Sequence, residues 1–284
     1  MDNVKVLNNK NKIGITGVTG KLGAYTAEII SEKGIEAVHI ARTPERAKAY
    51  ENAEIRRATY TNTPETVDAL KGIETLLMVS AHEGTNRVNE HKDFLDAAKS
   101  AGVKHIVYIS FYGADEHAVF TLSRDHAKTE DYIKALGFDY TFLRDNFYQE
   151  FFIEISLEYG ELRGPAGNGK VSTLARKDVS EVAAKILQEP EKWKNQILNM
   201  TGPEELSIEE IVKIIGTVAG RELKYVDETV EESYESRKKW KAEQWEYDAW
   251  VSTYTAIAVG EQSGVSDDIE RVLGRKATAL KDNI

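Results

Sequence analysis

The stretch Ile13-Gly-Ile-Thr16-Gly17-Val-Thr-Gly20-Lys-Leu-Gly23 decides the fold of this chain. A short β-branched run leads into three glycines at a three-residue spacing, and a helical pattern follows that ends at Gly34. In such a turn the first glycine permits a tight bend, the second lets a ligand approach the backbone, and the third lets helix and strand pack closely. The stretch therefore predicts a strand, a glycine loop and a helix whose N-terminus can bind phosphate groups.

Strand-like and helix-like segments alternate after this stretch through the first half of the chain. Short apolar runs occupy residues 37–41, 75–79, 105–110 and 140–144, with helical patterns between them. This order is typical of right-handed βαβ units that build a parallel sheet. We therefore predict an α/β fold, a Rossmann-type doubly wound parallel sheet with a smaller, mostly helical C-terminal domain.

The second half of the chain is less regular, and we place a domain boundary near Glu150. Residues 1–150 are predicted to form the dinucleotide-binding domain, with residues 1–11 as a flexible extension. Residues 151–284 are predicted to form a smaller substrate-side domain, from which helix 178–188 packs back on the first domain.

Three local features of the second half also carry predictions. The glycine-rich residues 160–169 indicate a loop. Asp178-Val-Ser-Glu181 and Ser207-Ile-Glu-Glu210 have the spacing of capping boxes, so each is expected to begin a helix.

Composition excludes several classes of function. The 284 residues include 41% hydrophobic residues and no cysteine, so disulfides, thiolate catalysis and Cys-ligated metal sites are excluded. The six histidines have no metal-ligand spacing, and no metal is expected. A net charge of −10 disfavours nucleic acid and anionic membranes as partners. We expect a cytoplasmic protein that binds a small molecule, and both a monomer and a homodimer remain open.

The residue after the second strand predicts which dinucleotide binds. An acidic side chain there would favour NAD, but this chain has Arg42, whose guanidinium can pair with a 2′-phosphate. We therefore predict NADPH as the cofactor. The contacts expected from the glycine motif come from Gly14, Thr16, Gly17, Thr19, Gly20, Lys21 and Leu22.

The whole chain from about Lys12 resembles the NmrA-like group of atypical short-chain dehydrogenase/reductases, in particular NADPH:quinone reductases and triphenylmethane-dye reductases. The resemblance rests on the glycine motif, on residues 102–110, on Tyr140-Thr-Phe-Leu-Arg144-Asp-Asn-Phe-Tyr148 and on the ending at residues 273–282. It implies that two further loops flank the ribose and nicotinamide. Their residues are Ser80, Ala81, His82, Ser110, Phe111 and Tyr112, and Lys128 aligns with a lysine used by related reductases.

The Tyr-x-x-x-Lys acid of typical short-chain dehydrogenases is missing where it is expected. Asp125-His-Ala-Lys128 stands there, and the chain's one match, Tyr234 with Lys238, lies in the other half. A ketone needs a strong proton donor on reduction, whereas a quinone yields a stable anion and a cationic dye needs hydride alone. The sequence therefore favours such self-activated acceptors. His126, Lys128 and Tyr148 are the candidate catalytic residues.

Aromatic residues near the predicted cleft are candidates for the acceptor pocket. We assign Tyr112, Phe147, Tyr148 and Phe151 to it, whereas the tryptophans Trp240, Trp245 and Trp250 are assigned to helix packing.

Two other functions stay open at this point. A non-catalytic NADP(H)-sensing regulator would also lack the tyrosine–lysine pair. A sugar-nucleotide epimerase would share the glycine spacing, although the missing tyrosine argues against it.

Overall fold

A computed structural model describes residues 13–284; the predicted extension, residues 1–11, lies outside the described residues. The strands are β1 (Ile13–Ile15), β2 (Ala37–Ala41), β3 (Ala53–Arg57), β4 (Thr75–Met78), β5 (His105–Phe111), β6 (Asp139–Asp145), β7 (Glu161–Gly164), β8 (Lys170–Val171), β9 (Gln196–Met200), β10 (Leu206–Ser207) and β11 (Lys224–Asp227). The helices are α1 (Lys21–Glu32), α2 (Pro64–Leu70), α3 (Arg87–Ala101), α4 (Ser123–Ala135), α5 (Gln149–Tyr159), α6 (Arg176–Gln188), α7 (Ile208–Ala219), α8 (Val230–Arg237), α9 (Gln244–Ala258) and α10 (Asp268–Leu273).

Seven parallel strands form the main sheet in the order β3-β2-β1-β4-β5-β6-β9. The chain progresses outward from β1 in one direction and then returns to β4 on its other side. Strand order therefore reverses between β1 and β4, and the crevice beyond their carboxyl ends is where such sheets bind ligands. The predicted Rossmann-type parallel sheet is confirmed.

Apolar side chains cover both faces of this sheet, as a parallel sheet requires. Residues of α1, α6 and α10 pack with β1 on one face, whereas residues of α2, α3 and α4 pack on the other. In the part of the chain from residue 13 onward, no helix is long and apolar enough to cross a membrane.

A third core lies in the C-terminal part, where α5, α7 and α9 pack around Leu162 and Val171. Strand β7 pairs in parallel with β11, and β8 pairs with β10 in an antiparallel bridge. The prediction of a loop over residues 160–169 is therefore wrong for β7. A four-residue strand leaves little periodic signal, and its partner lies about sixty residues further on in the sequence.

Two elements of the second half contact the first half. Strand β9 pairs with β6 at the edge of the main sheet, and α6 packs on α1, where the Ser180 hydroxyl donates to the Leu22 carbonyl at 3.2 Å. The domain boundary near Glu150 stays a prediction.

One predicted capping box is confirmed and the other is wrong. Ser207 accepts from the Glu210 backbone N–H, and the Glu210 carboxylate accepts from that of Ser207. Asp178 instead lies inside α6, fully buried, where it accepts from the Arg275 guanidinium at 2.8 Å and from the Thr278 N–H at 2.6 Å. The Asp178 carboxylate is thus occupied by donors from residues 275–278 instead of capping the helix.

Candidate functional site

The glycine loop joins β1 to α1 at the point where strand order reverses. Helix α1 begins after Gly20, which provides no side-chain cap, and its first turn contains no acidic residue. The unpaired N–H groups and the positive end of the helix dipole are thus left for another acceptor. This arrangement suits a phosphate group.

The three glycines of the loop differ in what the protein itself requires. Gly17 has φ +68°, and a Cβ at Gly23 would lie 2.4 Å from the Gly17 carbonyl oxygen, so folding demands glycine at both positions. Gly20 has extended backbone, and its nearest protein atom to an added Cβ is 3.4 Å away. Glycine at position 20 therefore leaves room for a ligand rather than for the chain's own atoms.

The other predicted loop residues are distributed between the surface and the interior. Gly14 is buried under Ile73, and Leu22 is also buried. The Thr16 hydroxyl accepts from the Val79 N–H at 2.9 Å, so it joins the ends of β1 and β4. Thr19 and Lys21 are exposed, and the Lys21 ammonium pairs with the Glu154 carboxylate of α5 at 2.7 Å.

Arg42 follows β2 directly and is exposed. Because Ile15 of β1 pairs with His39 of β2, both strands end at the same edge, and Arg42 lies beside the glycine loop. Within the described chain the Arg42 guanidinium makes no ion pair, so it is available to an anionic ligand.

A cavity of about 650 Å³ opens where β5 and β6 end. Phe111, Phe120 and Phe147 form one wall, with Phe147 and Phe111 ring centroids 5.1 Å apart. Residues of α5 and α9 also line the cavity. Aromatic walls are typical of a site that binds a planar small molecule, and charged residues of both signs also line this cavity.

The residues predicted to flank the ribose and nicotinamide are only partly brought together. Ser80, Ser110 and Phe111 line the cavity, and the Ser110 hydroxyl donates to the Glu130 carboxylate at 2.6 Å. Ala81 lies just outside it, where its N–H donates to the His91 ring at 2.8 Å, and His82 is exposed. The Tyr112 hydroxyl donates to the Ser263 carbonyl at 2.9 Å, and Tyr112 does not line the cavity.

The three predicted catalytic residues lie in different surroundings. His126 lines the cavity, but burial holds its pKa well below the ordinary value, and its Nδ1 lies 3.0 Å from the Tyr108 hydroxyl. Lys128 is exposed on α4 and does not line the cavity. The Tyr148 hydroxyl lines the cavity and donates to Asp145 Oδ2 at 2.5 Å, while Arg176 stacks 4.8 Å from its ring centre.

Aromatic residues from both halves of the chain line the cavity. They include Phe147, Tyr148 and Phe151, and also Trp240 and Trp250, for which the sequence favours helix packing. Trp245 does not line it, and its indole N–H donates to Glu243 at 3.0 Å. Trp240 lies between α8 and α9 and Trp250 lies in α9, and no sequence signal separates a tryptophan of the core from one that lines a cavity.

Asp145 is a polar residue of the cavity that sequence reasoning missed. It is the last residue of β6, only 2% exposed, and its Oδ1 has no hydrogen-bond partner among the described residues. Burial raises the pKa of Asp145 to about 8. The signal available was its place at the carboxyl end of a strand, where site residues of parallel sheets concentrate.

A buried cation was missed as well. Arg87, at the start of α3, lines the cavity and donates to the Ala81 carbonyl at 3.1 Å. Its charge adds to burial in lowering the pKa of His91 to about 3, so this histidine is neutral near pH 7. No motif in the sequence marks Arg87.

The raised pKa of Asp145 predicts how the stability of the protein depends on pH. Its pKa is about 8 in the folded protein against an ordinary value of 3.8, so between these values the folded state holds a proton that the unfolded state has lost. This group therefore lowers the free energy of unfolding as pH rises, by up to ~1.4 kcal/mol per pH unit. In Asp145→Asn that contribution disappears. The free energy of unfolding, measured with denaturant between about pH 5 and pH 8, should therefore decline less steeply with pH than in the wild type.

The exposed Asp131, which pairs with Lys134 at 3.4 Å, provides a control for this measurement. Asp131→Asn should keep the wild-type pH slope. Parallel slopes for wild type and Asp145→Asn would contradict a raised pKa at Asp145.

The chain is similar to proteins named as reductases over most of its length. Quinone oxidoreductase 2 of Escherichia coli is 31% identical over 220 residues, covering 75% of this chain and 76% of that protein. An NAD(P)H azoreductase of Xenophilus azovorans is 26% identical over 273 residues, covering 94% and 95%. The crystal structure of Citrobacter sp. triphenylmethane reductase complexed with NADP(H) superposes with a TM-score of 0.85 at 29% identity, covering 96% of this chain and 98% of that one.

A family model agrees with these similarities. The model of the NmrA-like family matches residues 9–283, nearly the entire length. This protein belongs to the NmrA-like family.

Proposed function

We propose that the protein is an NADPH-dependent reductase that transfers hydride to a quinone or a similar planar electrophile. The observation that carries this proposal is the aromatic cavity at the carboxyl ends of β5 and β6, on the same edge of the sheet as the glycine loop. The similarity to quinone, azo and dye reductases supports it.

The glycine loop and Arg42 fit the dinucleotide. The open backbone at Gly20 and the uncapped start of α1 would hold the pyrophosphate, and the free guanidinium of Arg42 would pair with the 2′-phosphate. Ser80, Ser110 and Phe111 would flank the reactive end, because they line the cavity near the ends of β4 and β5. When bound, the nucleotide supplies the hydride.

The cavity fits an acceptor that is planar and already electrophilic. The rings of Phe111, Phe147 and the partly exposed Phe151 offer apolar faces on which an aromatic acceptor can stack. The Tyr-x-x-x-Lys match lies elsewhere, since the Tyr234 hydroxyl donates to Asp248 at 2.8 Å and Tyr234 does not line the cavity. In this arrangement residues 1–150 hold the dinucleotide and contribute Phe111 and Phe147, and residues 151–284 supply the rest of the acceptor-side wall.

Nicotinamide oxidation tests the proposal directly. The ultraviolet absorbance of NADPH, followed with purified protein, should fall on addition of a simple quinone, and NADH should support slower turnover. Tight NADPH binding without turnover of quinones or dyes would contradict the enzyme and favour a dinucleotide-sensing regulator, whose protein partner should then bind in a nucleotide-dependent way.

Arg42→Ala tests the choice of cofactor. Loss of a charge-assisted pair with the 2′-phosphate should weaken NADPH binding about tenfold to a hundredfold and leave NADH binding nearly unchanged. Fluorescence titration with both nucleotides measures this. Lys104→Ala, an exposed cation before β5 at the opposite edge of the sheet, is the matched control and should change neither affinity. An equal loss of affinity for NADPH and NADH in Arg42→Ala would show that Arg42 does not pair with the 2′-phosphate.

Gly20→Val and Gly23→Ala should separate binding from folding. A valine side chain at position 20 would fill the space left for the pyrophosphate, so NADPH affinity should fall at least about tenfold. Valine is a poorer N-cap residue than glycine, so the free energy of unfolding should fall by about 1 kcal/mol. An alanine Cβ at position 23 would clash with the Gly17 carbonyl oxygen, so the main effect of Gly23→Ala should be a lower thermal stability. Normal NADPH binding by Gly20→Val would place the pyrophosphate elsewhere.

A further inference from the structure

We propose that Asp145 is the proton donor to the acceptor, so that the site takes acceptors that gain a proton together with a hydride, at oxygen or nitrogen. This inference rests on the proposed function and concerns a residue to which the reductase chemistry described so far gives no role. It distinguishes quinone-like and azo-like acceptors from carbocationic dyes, which gain a hydride alone.

The hydrogen bonds of Asp145 leave one oxygen free for this role. The Tyr148 hydroxyl donates to Oδ2 at 2.5 Å, so a proton on the carboxyl group is carried by Oδ1. Oδ1 is buried and has no partner among residues 13–284, although the residue lines the cavity. A buried polar atom without a partner needs an explanation, and an acceptor atom in the cavity provides one.

The surroundings of Asp145 favour a neutral carboxyl group at rest. Its sheet neighbours, Phe111 of β5 and Met200 of β9, carry no charge. The charged and titratable residues on the same lining include Glu83, Arg87, His126 and Arg176, and of these four only Arg176 acts on the Asp145 carboxyl group. The groups that oppose burial are the Tyr148 hydroxyl and the more distant Arg176 guanidinium, both of which favour the carboxylate. Burial outweighs them and raises the pKa of Asp145 to about 8, so the acid holds its proton near pH 7 but can release it.

The electron and proton balance of the step is simple for a quinone. The quinone gains two electrons with the hydride and becomes a hydroquinone monoanion, while the nicotinamide is oxidised by two electrons. The O–H bond of Asp145 breaks, its proton forms an O–H bond on the hydroquinone, and the bonding electron pair stays on Asp145 as a carboxylate. Tyr148 and Arg176 stabilise this carboxylate until it regains a proton from water.

This transfer matters because the cavity is largely apolar. An anionic product is costly beside the apolar rings, where Arg87 and Arg176 on the same lining offset only part of its charge, and an ionised Asp145 would add a second negative charge beside it. A neutral acid removes both costs in one step. A carbocationic dye becomes neutral when it gains a hydride, so it needs no proton from Asp145.

Two acceptors compared in one protein test the proposal. For Asp145→Asn we expect kcat with an uncharged benzoquinone to fall about tenfold to a hundredfold, and kcat with a cationic triphenylmethane dye to stay within about twofold of the wild type. The wild-type quinone rate should decline above about pH 8, as the acid is lost, and this decline should be absent in Asp145→Asn. Asp131→Asn, on the exposed face of α4, should match the wild type with both acceptors.

A second variant tests the geometry through the pH profile. Tyr148→Phe removes a hydrogen bond that lowers the pKa of Asp145, so the alkaline decline of the quinone rate should move to higher pH while turnover persists. A readout independent of activity is the infrared carbonyl band of a protonated carboxyl group. This band should be present in the wild type near neutral pH, decline as pH rises through about 8, and be absent from Asp145→Asn.

Several results would overturn the inference while the proposed function stands. These are an equal loss with both acceptors in Asp145→Asn, no loss with either, wild-type turnover of the dye without the quinone, or no protonated carboxyl band assigned to Asp145. If the wild type reduces neither acceptor although it binds NADPH, the proposed function itself fails, and the inference falls with it.

Discussion

The hydrogen bonds around Thr16 hold together the point on which the rest of the structure depends. The Thr16 hydroxyl accepts from the Val79 N–H and bonds to the Tyr60 hydroxyl, which in turn donates to the Val79 carbonyl. These bonds join β1 to β4 where strand order reverses, and Gly17 turns tightly against Val79 beside them. The glycine loop, the start of α1 and the edge that carries the cavity all take their positions from this junction.

The main sheet could be predicted from the sequence because its signals are local. Glycine spacing and the alternation of apolar runs with helical patterns report on residues close together in the chain. The strand pair β7–β11 could not be predicted in this way, because its stability comes from a partner distant in sequence. Asp178 also shows the limit of local signals. Its spacing matches a capping box, but its carboxylate accepts from the Thr278 N–H, a residue far away in the sequence.

In the candidate site, too, local features could be predicted from the sequence and long-range contacts could not. The position of Arg42 and the aromatic pair Phe147–Tyr148 could be inferred because both follow strands, and strand ends of a parallel sheet meet at one edge. Asp145 occupies an equivalent position, but its importance depends on an unpaired oxygen and on burial, which only the three-dimensional structure contains. For Lys128 the sequence suggested a role that its position does not favour. It aligns with a lysine of related reductases, but it is exposed to solvent.

Strand β9 ties the two halves of the chain into one architecture. It comes from the second half but completes the sheet beside β6, so a chain cut near Glu150 would leave β6 as an exposed hydrogen-bonding edge. Fusion or truncation at that point would yield fragments prone to self-association rather than independent modules. The residues after Glu150 therefore share one hydrogen-bonded sheet with the glycine loop, and the two halves of the chain depend on each other for their stability.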